Sequence, residues 1–259
     1  MKTKFAILFW VSLIFVPCAA FGELVKKNIE YKDGDTVLEG VLVYDSAATG
    51  KLPGILVAHE WWGLTDHAKN IADTLAGMGY AAFALDMYGK GVTTQDPQEA
   101  KRLCGVVRGK PVQRSRALAG LKVLSEQPNV DPKKIAAVGF CFGGAVVLDL
   151  AYSGADLKGV VCVHGGIVLP KPEELSQIKS KILVLHGAED SFTPEDQILA
   201  FKKAMIQSGA DWQLTFFGGA AHSFTNPNAG NDKSKGMAYN ETATRHAWGQ
   251  MVTFFGENL

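Results

Sequence analysis

Short apolar runs alternate along most of the chain with longer segments in which apolar residues recur every three or four positions. The short runs predict β-strands, because a buried strand of a parallel sheet is an almost unbroken apolar stretch. They lie at residues 36–44, 54–59, 81–85, 135–138, 159–163, 181–186 and 212–217, the first being a predicted edge strand. The longer segments predict helices at residues 66–78, 97–107, 113–126, 194–208 and 241–255. Gly79 is the predicted C-cap of the first helix, and Thr193 is the predicted N-cap of the fourth.

This alternation predicts an α/β fold with a single, mostly parallel sheet and helices on both of its faces. Residues 23–259 are few enough for one domain, and no insertion is long enough to form a large lid domain. In such sheets the functional site lies at the carboxyl ends of the strands. We therefore expect an open site that is built by the loops at that edge.

The first 22 residues have the three-part pattern of a signal peptide. A basic start at residues 1–4 precedes an apolar stretch at 5–16, and mostly small residues follow at 18–22. The apolar stretch is shorter than a membrane-spanning helix needs to be. We predict cleavage after Ala20 or Gly22 and a periplasmic or secreted protein with no membrane attachment once the leader is removed. An uncleaved amino-terminal anchor is the alternative.

The most informative segment is Gly-Phe-Cys-Phe-Gly-Gly at residues 139–144, between the apolar runs 135–138 and 145–148. It has the strand, turn and helix pattern of a nucleophile elbow, written G-x-C-x-G where G-x-S-x-G is commoner. Glycine two residues away on either side leaves room for a strained turn, and the amino end of the following helix favours a thiolate. The segment predicts that Cys141 is the nucleophile of a cysteine hydrolase. A buried structural cysteine is the alternative.

A cysteine nucleophile needs a base, and the base needs a carboxylate that orients it. In α/β-hydrolases these groups follow in the order nucleophile, acid, histidine, each of them after a strand. Asp190 follows the predicted strand at 181–186, and His222 follows the one at 212–217. We therefore predict that His222 is the general base and acid and that Asp190 orients it. Glu189 is the alternative to Asp190.

The remaining histidines have simpler interpretations. His186 and His164 end predicted strands, where bonds to the backbone account for them, and His67 and His246 lie on predicted helices with exposed side chains. No pair of histidines has metal-ligand spacing, and no Cys-x-x-Cys occurs. We therefore predict neither a metal nor a cofactor.

Four motifs together resemble the dienelactone hydrolase family. They are His-Glu-Trp-Trp-Gly at residues 59–63, Asp-Met-Tyr-Gly at 86–89, the elbow at 139–144 and His-Ser-Phe at 222–224. The resemblance covers nearly the whole chain after the leader and implies the α/β-hydrolase fold. It also implies a role for Glu60, because a glutamate at this position in the family contacts the resting cysteine and activates it when substrate displaces the carboxylate. An ordinary solvated loop residue is the alternative for Glu60.

The resemblance further implies an oxyanion hole and a substrate pocket. One donor is the backbone N–H of Phe142, directly after the nucleophile, and the resemblance assigns the other to the backbone N–H of Trp61. The expected pocket residues are Trp62, Tyr88, Lys90 and Ser223. Core packing is the alternative for the aromatic side chains, and a local bond to backbone is the alternative for the serine.

Two positions depart from the family pattern. Dienelactone hydrolases hold the carboxylate of their substrate with two arginines, and this chain has Lys90 and Asn226 at the matching positions. Lysine offers a point charge without a planar fork, and asparagine is uncharged. We therefore expect a different or broader ester substrate.

Composition narrows the classes of partner. Lysine plus arginine and aspartate plus glutamate number 26 each, so no basic stripe predicts binding to nucleic acid. An apolar content of 47% is sufficient for a sizeable core. After the leader, Cys104 and Cys162 are the cysteines other than Cys141, and we expect both to be buried and reduced.

The sequence therefore predicts an exported, monomeric hydrolase of small esters or lactones that acts through an acyl-thioester on Cys141. A thioesterase or acyl transferase with the same residues is one alternative. A non-catalytic exported binding module on this fold is another, and the intact set of nucleophile, base and acid counts against it.

Overall fold

The computed structural model describes residues 22–259, in which six α-helices cover one sheet of eight strands. The strands are β1 (Leu24–Asp33), β2 (Thr36–Asp45), β3 (Leu52–Ala58), β4 (Ala81–Leu85), β5 (Val130–Phe140), β6 (Gly159–Val163), β7 (Lys181–Gly187) and β8 (Trp212–Phe217). The helices are α1 (Asp66–Gly77), α2 (Pro97–Val107), α3 (Pro111–Ser125), α4 (Phe142–Tyr152), α5 (Glu195–Ser208) and α6 (Glu241–Asn258). Except for Gly22, the predicted leader lies outside the described residues.

The sheet has the strand order β1-β2-β4-β3-β5-β6-β7-β8. Strands β3 to β8 run parallel to one another, whereas β1 and β2 are antiparallel to their neighbours. The prediction of a single, mostly parallel sheet is confirmed. Its parallel part brings the carboxyl ends of β3, β5, β6, β7 and β8 to one edge, where the loops that carry the predicted site residues begin.

The antiparallel edge of the sheet differs from the prediction. Strand β2, predicted to lie at the edge, pairs on both sides, with β1 and with β4. The edge strand is β1, which the hydrophobic pattern did not reveal. Its sequence mixes charged and apolar residues, and only one of its ten side chains is buried. An edge strand of this kind is stabilised by pairing with its neighbour and not by burial, so it leaves little signal in the hydrophobic pattern.

Alternate side chains of the central strands pack against helices on opposite faces of the sheet. In β5, Ile135 and Ala137 belong to the cluster that packs with α2, α3, α4 and α5. Ala136 and Val138 belong to the cluster that packs with α1 and α6. Because both faces are covered, the end of β5 and the loops around it are supported from both sides.

Two further observations concern the helices. Helix α5 begins at Glu195 with Pro194 at its N-cap, so the prediction of Thr193 as the cap is wrong. Pro194 is in the extended backbone conformation that the N-cap position requires. Thr193 lies one residue earlier, outside the cap, and is buried. Among residues 22–259, no helix combines the length and the apolarity that crossing a membrane requires.

Candidate active site

Cys141 lies at a sharp turn between β5 and α4. Its backbone has φ 54° and ψ −114°, a conformation that residues other than glycine rarely adopt. The turn is held by its own N–H, which donates to the carbonyl of Val163 at 3.2 Å, and by its carbonyl, which accepts from the N–H of Gly144 at 3.1 Å. The side chain is half-buried at the amino end of α4. This is the strand, turn and helix geometry of an elbow.

The glycines on either side of the turn are required by close packing. A Cβ atom on Gly139 would collide with the carbonyl of Gly143. A Cβ atom on Gly143 would collide with the carbonyl of Ala58, at the end of β3. Glycine at these two positions therefore lets α4 approach β5 and β3 closely enough to form the turn.

His222 lies beside Cys141 on the loop after β8, and Asp190 lies on the loop after β7. Nδ1 of His222 is 2.8 Å from Oδ2 of Asp190, whose side chain is fully buried. Burial lowers the pKa of His222, but the charge of Cys141 and the hydrogen bond and charge of Asp190 outweigh it and raise the pKa to about 10. The structure therefore places an imidazole that readily holds a proton directly beside the sulfur.

The carboxylate beside His222 is that of Asp190 and not that of Glu189. Oδ1 of Asp190 accepts the N–H of Phe192 at 2.9 Å, which leaves Oδ2 for the histidine. Glu189 points to the surface and pairs with Lys233 at 2.8 Å. Position therefore excludes Glu189 as the group that orients His222.

His164 is closer to the site than its predicted strand-end position implied. Its Nε2 is 2.7 Å from Oγ1 of Thr225, and its ring packs edge-on against that of His222 with 5.4 Å between centroids. Burial and the charge of His222 hold the pKa of His164 well below its usual range. A neutral ring thus shields one side of His222 from water.

The other histidines and cysteines lie outside this cluster or at its margin. His186 is buried on β7, and His246 is exposed on α6. His67 is half-buried on α1, not exposed as predicted, because its ring packs against the end of β5. Cys162 and Cys104 are free thiols, and burial raises the pKa of both. Cys162 is buried as expected, whereas Cys104 is only half-buried because α2 covers the core with one face alone.

Glu60 follows β3 and is buried, with 4% of its surface exposed. Its Oε2 accepts from Nδ2 of Asn226 at 2.6 Å, and its Oε1 accepts from Oγ of Ser223 at 3.4 Å. Two neutral donors therefore turn the carboxylate toward the loop after β8, while Cys141 interacts with His222. The carboxylate oxygens of Glu60 thus make their hydrogen bonds to these two donors, and the resting contact with Cys141 that the family resemblance implies stays a prediction. A solvated glutamate, the alternative, is excluded by the burial.

The two predicted oxyanion donors lie on adjoining segments. Phe142 is the first residue of α4, and Trp61 lies on the loop after β3. The hydroxyl of Tyr88 donates to the carbonyl of Trp61 at 3.0 Å, and its ring stacks on Phe142 at 5.7 Å. Tyr88 is itself buried. The contacts of Tyr88 therefore hold together the loop that carries Trp61 and the start of α4 at Phe142.

A cavity of about 500 Å³ lies directly beside Glu60. Trp62, Ser223 and Asn226 are among its lining residues, and the described residues contribute neither lysine nor arginine to it. Lys90 was also expected in the pocket, and this expectation is corrected. Its amine pairs instead with Glu30 and with Glu39, because the two antiparallel strands at the edge of the sheet place these carboxylates next to it.

Two residues of this arrangement received no role from the sequence. Asn226 is distinguished in the sequence only as a departure from the family pattern, although its side chain binds Glu60. His59 lies next to Glu60 in the first motif and its Nδ1 is 2.5 Å from the carbonyl of Glu60. The motif itself was a signal for His59. Local sequence has no signal for Asn226, because its partner is 166 positions away.

These groups together suit acyl transfer. A thiol lies beside a histidine that is hydrogen-bonded to a buried carboxylate, and the backbone N–H of Phe142 follows the thiol directly at the start of α4. Within residues 22–259, no group of three or more His, Cys, Asp or Glu side chains is arranged to hold a metal ion.

Comparison with known proteins gives consistent relatives. The family model described as "Dienelactone hydrolase family" matches residues 38–259. Protein usf of Aquifex pyrophilus is 29% identical over 227 residues, which cover 85% of this chain and 95% of that protein.

Two solved structures resemble the whole described domain. A dienelactone hydrolase-like promiscuous phosphotriesterase from metagenomic libraries has a TM-score of 0.87 and 38% identity, with coverage of 92% of this chain and 99% of that one. A structure named m3DLH has a TM-score of 0.87 and 39% identity, with coverage of 92% and 100%. The α/β-hydrolase fold without a large lid domain is thereby confirmed.

Proposed function

The chain belongs to the dienelactone hydrolase family and is a hydrolase, and on that premise we propose that it cleaves small carboxylic esters or lactones through an acyl-thioester on Cys141. The observation that carries the proposal is the strained turn at Cys141 beside the hydrogen-bonded pair of His222 and Asp190. We assign Cys141 as nucleophile, His222 as general base and acid, and Asp190 as the carboxylate that orients His222.

In the first half-reaction, the sulfur of Cys141 forms a bond to the acyl carbon while the π electrons of the carbonyl move onto its oxygen. The N–H groups of Trp61 and Phe142 stabilise the negative oxygen. His222 then donates its proton to the leaving alkoxide as the C–O bond breaks. The products of this step are the alcohol and an acyl-thioester.

In the second half-reaction, His222 takes a proton from water while the water oxygen bonds to the acyl carbon. The tetrahedral oxyanion forms again between the same two donors and collapses with release of the Cys141 thiolate. Asp190 remains ionised throughout and holds the ring in the productive orientation. The carboxylic acid product then leaves.

For Glu60 we propose the role that the family implies, which is to activate the thiol of Cys141 when substrate enters. Its buried carboxylate borders the 500 Å³ cavity and is held by the neutral donors Asn226 and Ser223. Substrate in the cavity would compete for these donors and displace the carboxylate, which would accept the proton of the thiol as it moves and return it to the thiolate that the second half-reaction releases.

The test is hydrolysis by purified residues 23–259 of p-nitrophenyl acetate, p-nitrophenyl butyrate, a dienelactone and an acyl thioester, beside Cys141→Ala. We expect turnover that is lost in Cys141→Ala with an unchanged melting temperature, because the variant removes one sulfur and no packing layer. Cys141→Ser should be slower than wild type, since the site is arranged for a thiol. Turnover that survives in Cys141→Ala would remove Cys141 as nucleophile. No turnover on any substrate, with a thiol of ordinary reactivity, would favour a binding module.

A second candidate activity is hydrolysis of neutral phosphotriesters. The similar structure at 38% identity is described as a promiscuous phosphotriesterase, and the cavity beside Glu60 offers no lysine or arginine from the described residues for an anionic substrate. The thiolate would attack phosphorus and expel an alkoxide, with water cleaving the phosphoryl-cysteine. Release of p-nitrophenol from paraoxon by wild type, and its loss in Cys141→Ala, is the expected result. No release at all would restrict the protein to acyl transfer.

We also propose that the protein is exported, with the leader pattern of residues 1–22 as support. In a bacterial host, the periplasmic or secreted protein should begin at Phe21 or Glu23 by mass spectrometry. Recovery of the full-length chain in the membrane fraction would instead support the uncleaved anchor.

A further inference from the structure

We propose that His59 sets the direction of the Trp61 N–H so that it points at the oxyanion, and that Tyr88 holds the following peptide unit of the same loop. The inference rests on the proposed ester hydrolysis, because it concerns one of the two oxyanion donors. His59 acts through the loop backbone and not on the substrate, so it is a positioning residue.

The hydrogen bonds of His59 define which of its nitrogens carries the proton. The backbone N–H of Met87 donates to Nε2 of His59 at 3.2 Å. A backbone N–H can only donate, so Nε2 must be the bare nitrogen and the proton must lie on Nδ1. Burial lowers the pKa of His59, which is 1% exposed, and keeps the ring neutral. Nδ1–H therefore donates to the carbonyl of Glu60 at 2.5 Å.

That carbonyl belongs to the same peptide unit as the Trp61 N–H. The unit is planar and trans, as are all peptide bonds in residues 22–259, so its C=O and N–H point in opposite directions. A donor that holds the Glu60 oxygen on one side therefore directs the Trp61 N–H to the other side. The N–H of Gly63 also donates to this oxygen, at a longer 3.3 Å.

The next carbonyl along the loop is held as well. The hydroxyl of Tyr88 donates to the carbonyl of Trp61 at 3.0 Å. The ring of Tyr88 packs edge-on against that of His59 at 5.0 Å, and Phe142 packs against both rings. His59 and Tyr88 thus fix the peptide units on both sides of Trp61. Their rings also pack against Phe142, which supplies the other oxyanion donor.

Without the His59 bond, only the longer bond from Gly63 opposes rotation of the peptide unit between Glu60 and Trp61 toward a state in which its carbonyl oxygen faces the oxyanion. Two partial negative charges would then repel each other where attraction is needed. Loss of one oxyanion donor typically lowers the rate by about 100- to 1,000-fold. We expect a loss of about 10- to 100-fold for His59 variants, because Gly63 still holds the carbonyl in part.

Two amide substitutions separate the functions of the two ring nitrogens. In His59→Gln the amide reaches the position of Nε2 and its oxygen accepts from the N–H of Met87, but no side chain donates to the carbonyl of Glu60, which keeps only the longer bond from Gly63. In His59→Asn the shorter amide reaches the position of Nδ1 and donates to Glu60, while the N–H of Met87 loses its acceptor. We expect kcat for p-nitrophenyl acetate to fall about 10- to 100-fold in His59→Gln, with little change in KM. In His59→Asn the decrease in kcat should be several-fold smaller.

Two further measurements separate positioning of the donor from a general structural role. Alkylation by iodoacetamide forms a bond from the Cys141 sulfur and releases iodide without an oxyanion, so His59→Gln should react at the wild-type rate. A trifluoromethyl ketone accepts the thiolate and places a negative oxygen in the hole. Its inhibition constant should rise by the same factor by which kcat/KM falls.

Equal kcat in His59→Gln and His59→Asn, with an active wild type, would overturn this inference alone. So would a fall in alkylation that parallels the fall in turnover, because His59 would then act on the thiol. If wild type shows no turnover that depends on Cys141, both the inference and the proposed function are overturned. If the His59 variants do not fold, Tyr88→Phe decides. It should reduce kcat without slowing alkylation, and unchanged kcat would contradict the proposal.

Discussion

The elbow at residues 139–144 and the loop at residues 59–63 supply adjoining parts of one site but are held in different ways. In the elbow, Gly139 and Gly143 create the space for the turn by their own lack of a side chain. The loop relies on distant partners, such as Met87, 28 positions from its partner His59, and Asn226, 166 positions from its partner Glu60. The glycines that permit the elbow are therefore visible in the local sequence, whereas the partners of the loop are set by the completed fold.

The loop also gives the second sequence motif, at residues 86–89, a physical explanation. Oδ1 of Asp86 accepts the N–H groups of Tyr88 and Gly89 at 2.8 and 3.0 Å, which shapes the turn after β4. That turn presents the N–H of Met87 to His59 and the hydroxyl of Tyr88 to the loop. The motifs at 59–63 and 86–89 are thus two halves of one structural unit.

The largest effect is expected from breaking the elbow with Gly143→Ala. The added methyl group would collide with the carbonyl of Ala58, so we expect the free energy of unfolding to fall by about 3 kcal/mol and ester turnover to be lost. Urea denaturation measures the change. The matched control is Gly249→Ala on α6, where a Cβ meets nothing within 4 Å, and a gain of about 0.5–1 kcal/mol is expected. Similar stabilities of the two variants would contradict the requirement for glycine at position 143 of the elbow.

The loop is tested by Glu60→Gln, which removes the charge but keeps the shape. We expect turnover to fall at least about 10-fold, as for loss of a positioned proton acceptor, with a change in melting temperature of no more than a few degrees. Glu189→Gln is the control, because this exposed carboxylate pairs with Lys233 at the surface and should leave turnover unchanged. Unchanged kcat in Glu60→Gln would show that the carboxylate does not activate the thiol in this chain.

A smaller effect on stability should follow from pH. The folded protein raises the pKa of His222 from about 6.5 to about 10, so it binds more protons than the unfolded chain across this interval. The resulting stabilisation is complete below pH 6.5 and is lost as the pH rises toward 10. We expect urea denaturation to show a fall of at least about 1 kcal/mol across this window. The fall should be shallower in Asp190→Asn, and an equal slope in both proteins would contradict the coupling.

The smallest effect is expected from Lys90→Met. The side chain of Lys90 pairs with residues of the antiparallel edge of the sheet and with neither the elbow nor the loop. The exposed ion pairs with Glu30 and Glu39 should contribute little to stability, and turnover of neutral and anionic esters should be unchanged. Parallel assays of p-nitrophenyl acetate and a p-nitrophenyl hemisuccinate check this. A selective loss on the anionic ester would return Lys90 to the substrate pocket.

Prediction from the sequence succeeded where a feature has a local cause. The buried strands β4 and β6 have the bounds that their apolar runs predict, because both faces of the sheet are covered there. Strand β8 also has its predicted bounds, since its sequence is an apolar run although only one of its six side chains is buried. The order of Cys141, Asp190 and His222 along the chain was also visible, and the structure brings these residues together. By contrast, β1 carries too few buried residues to be detected, and Lys90 could not be separated from the pocket without knowing that β1 and β2 lie beside it.

The sequence by itself determined the α/β fold class, the glycine-flanked turn at Cys141 and the set of groups available for acyl transfer, because each can be identified from hydrophobic pattern, local motif or the order of residue types along the chain. The tertiary structure decided which carboxylate meets His222, where Glu60 points and how the Trp61 N–H is directed. Those choices depend on side chains that approach from different loops at the carboxyl edge of the sheet. Hydrophobic pattern and residue type specify that the loops meet there, but the hydrogen-bond partners are selected only when the packed strands fix their distances.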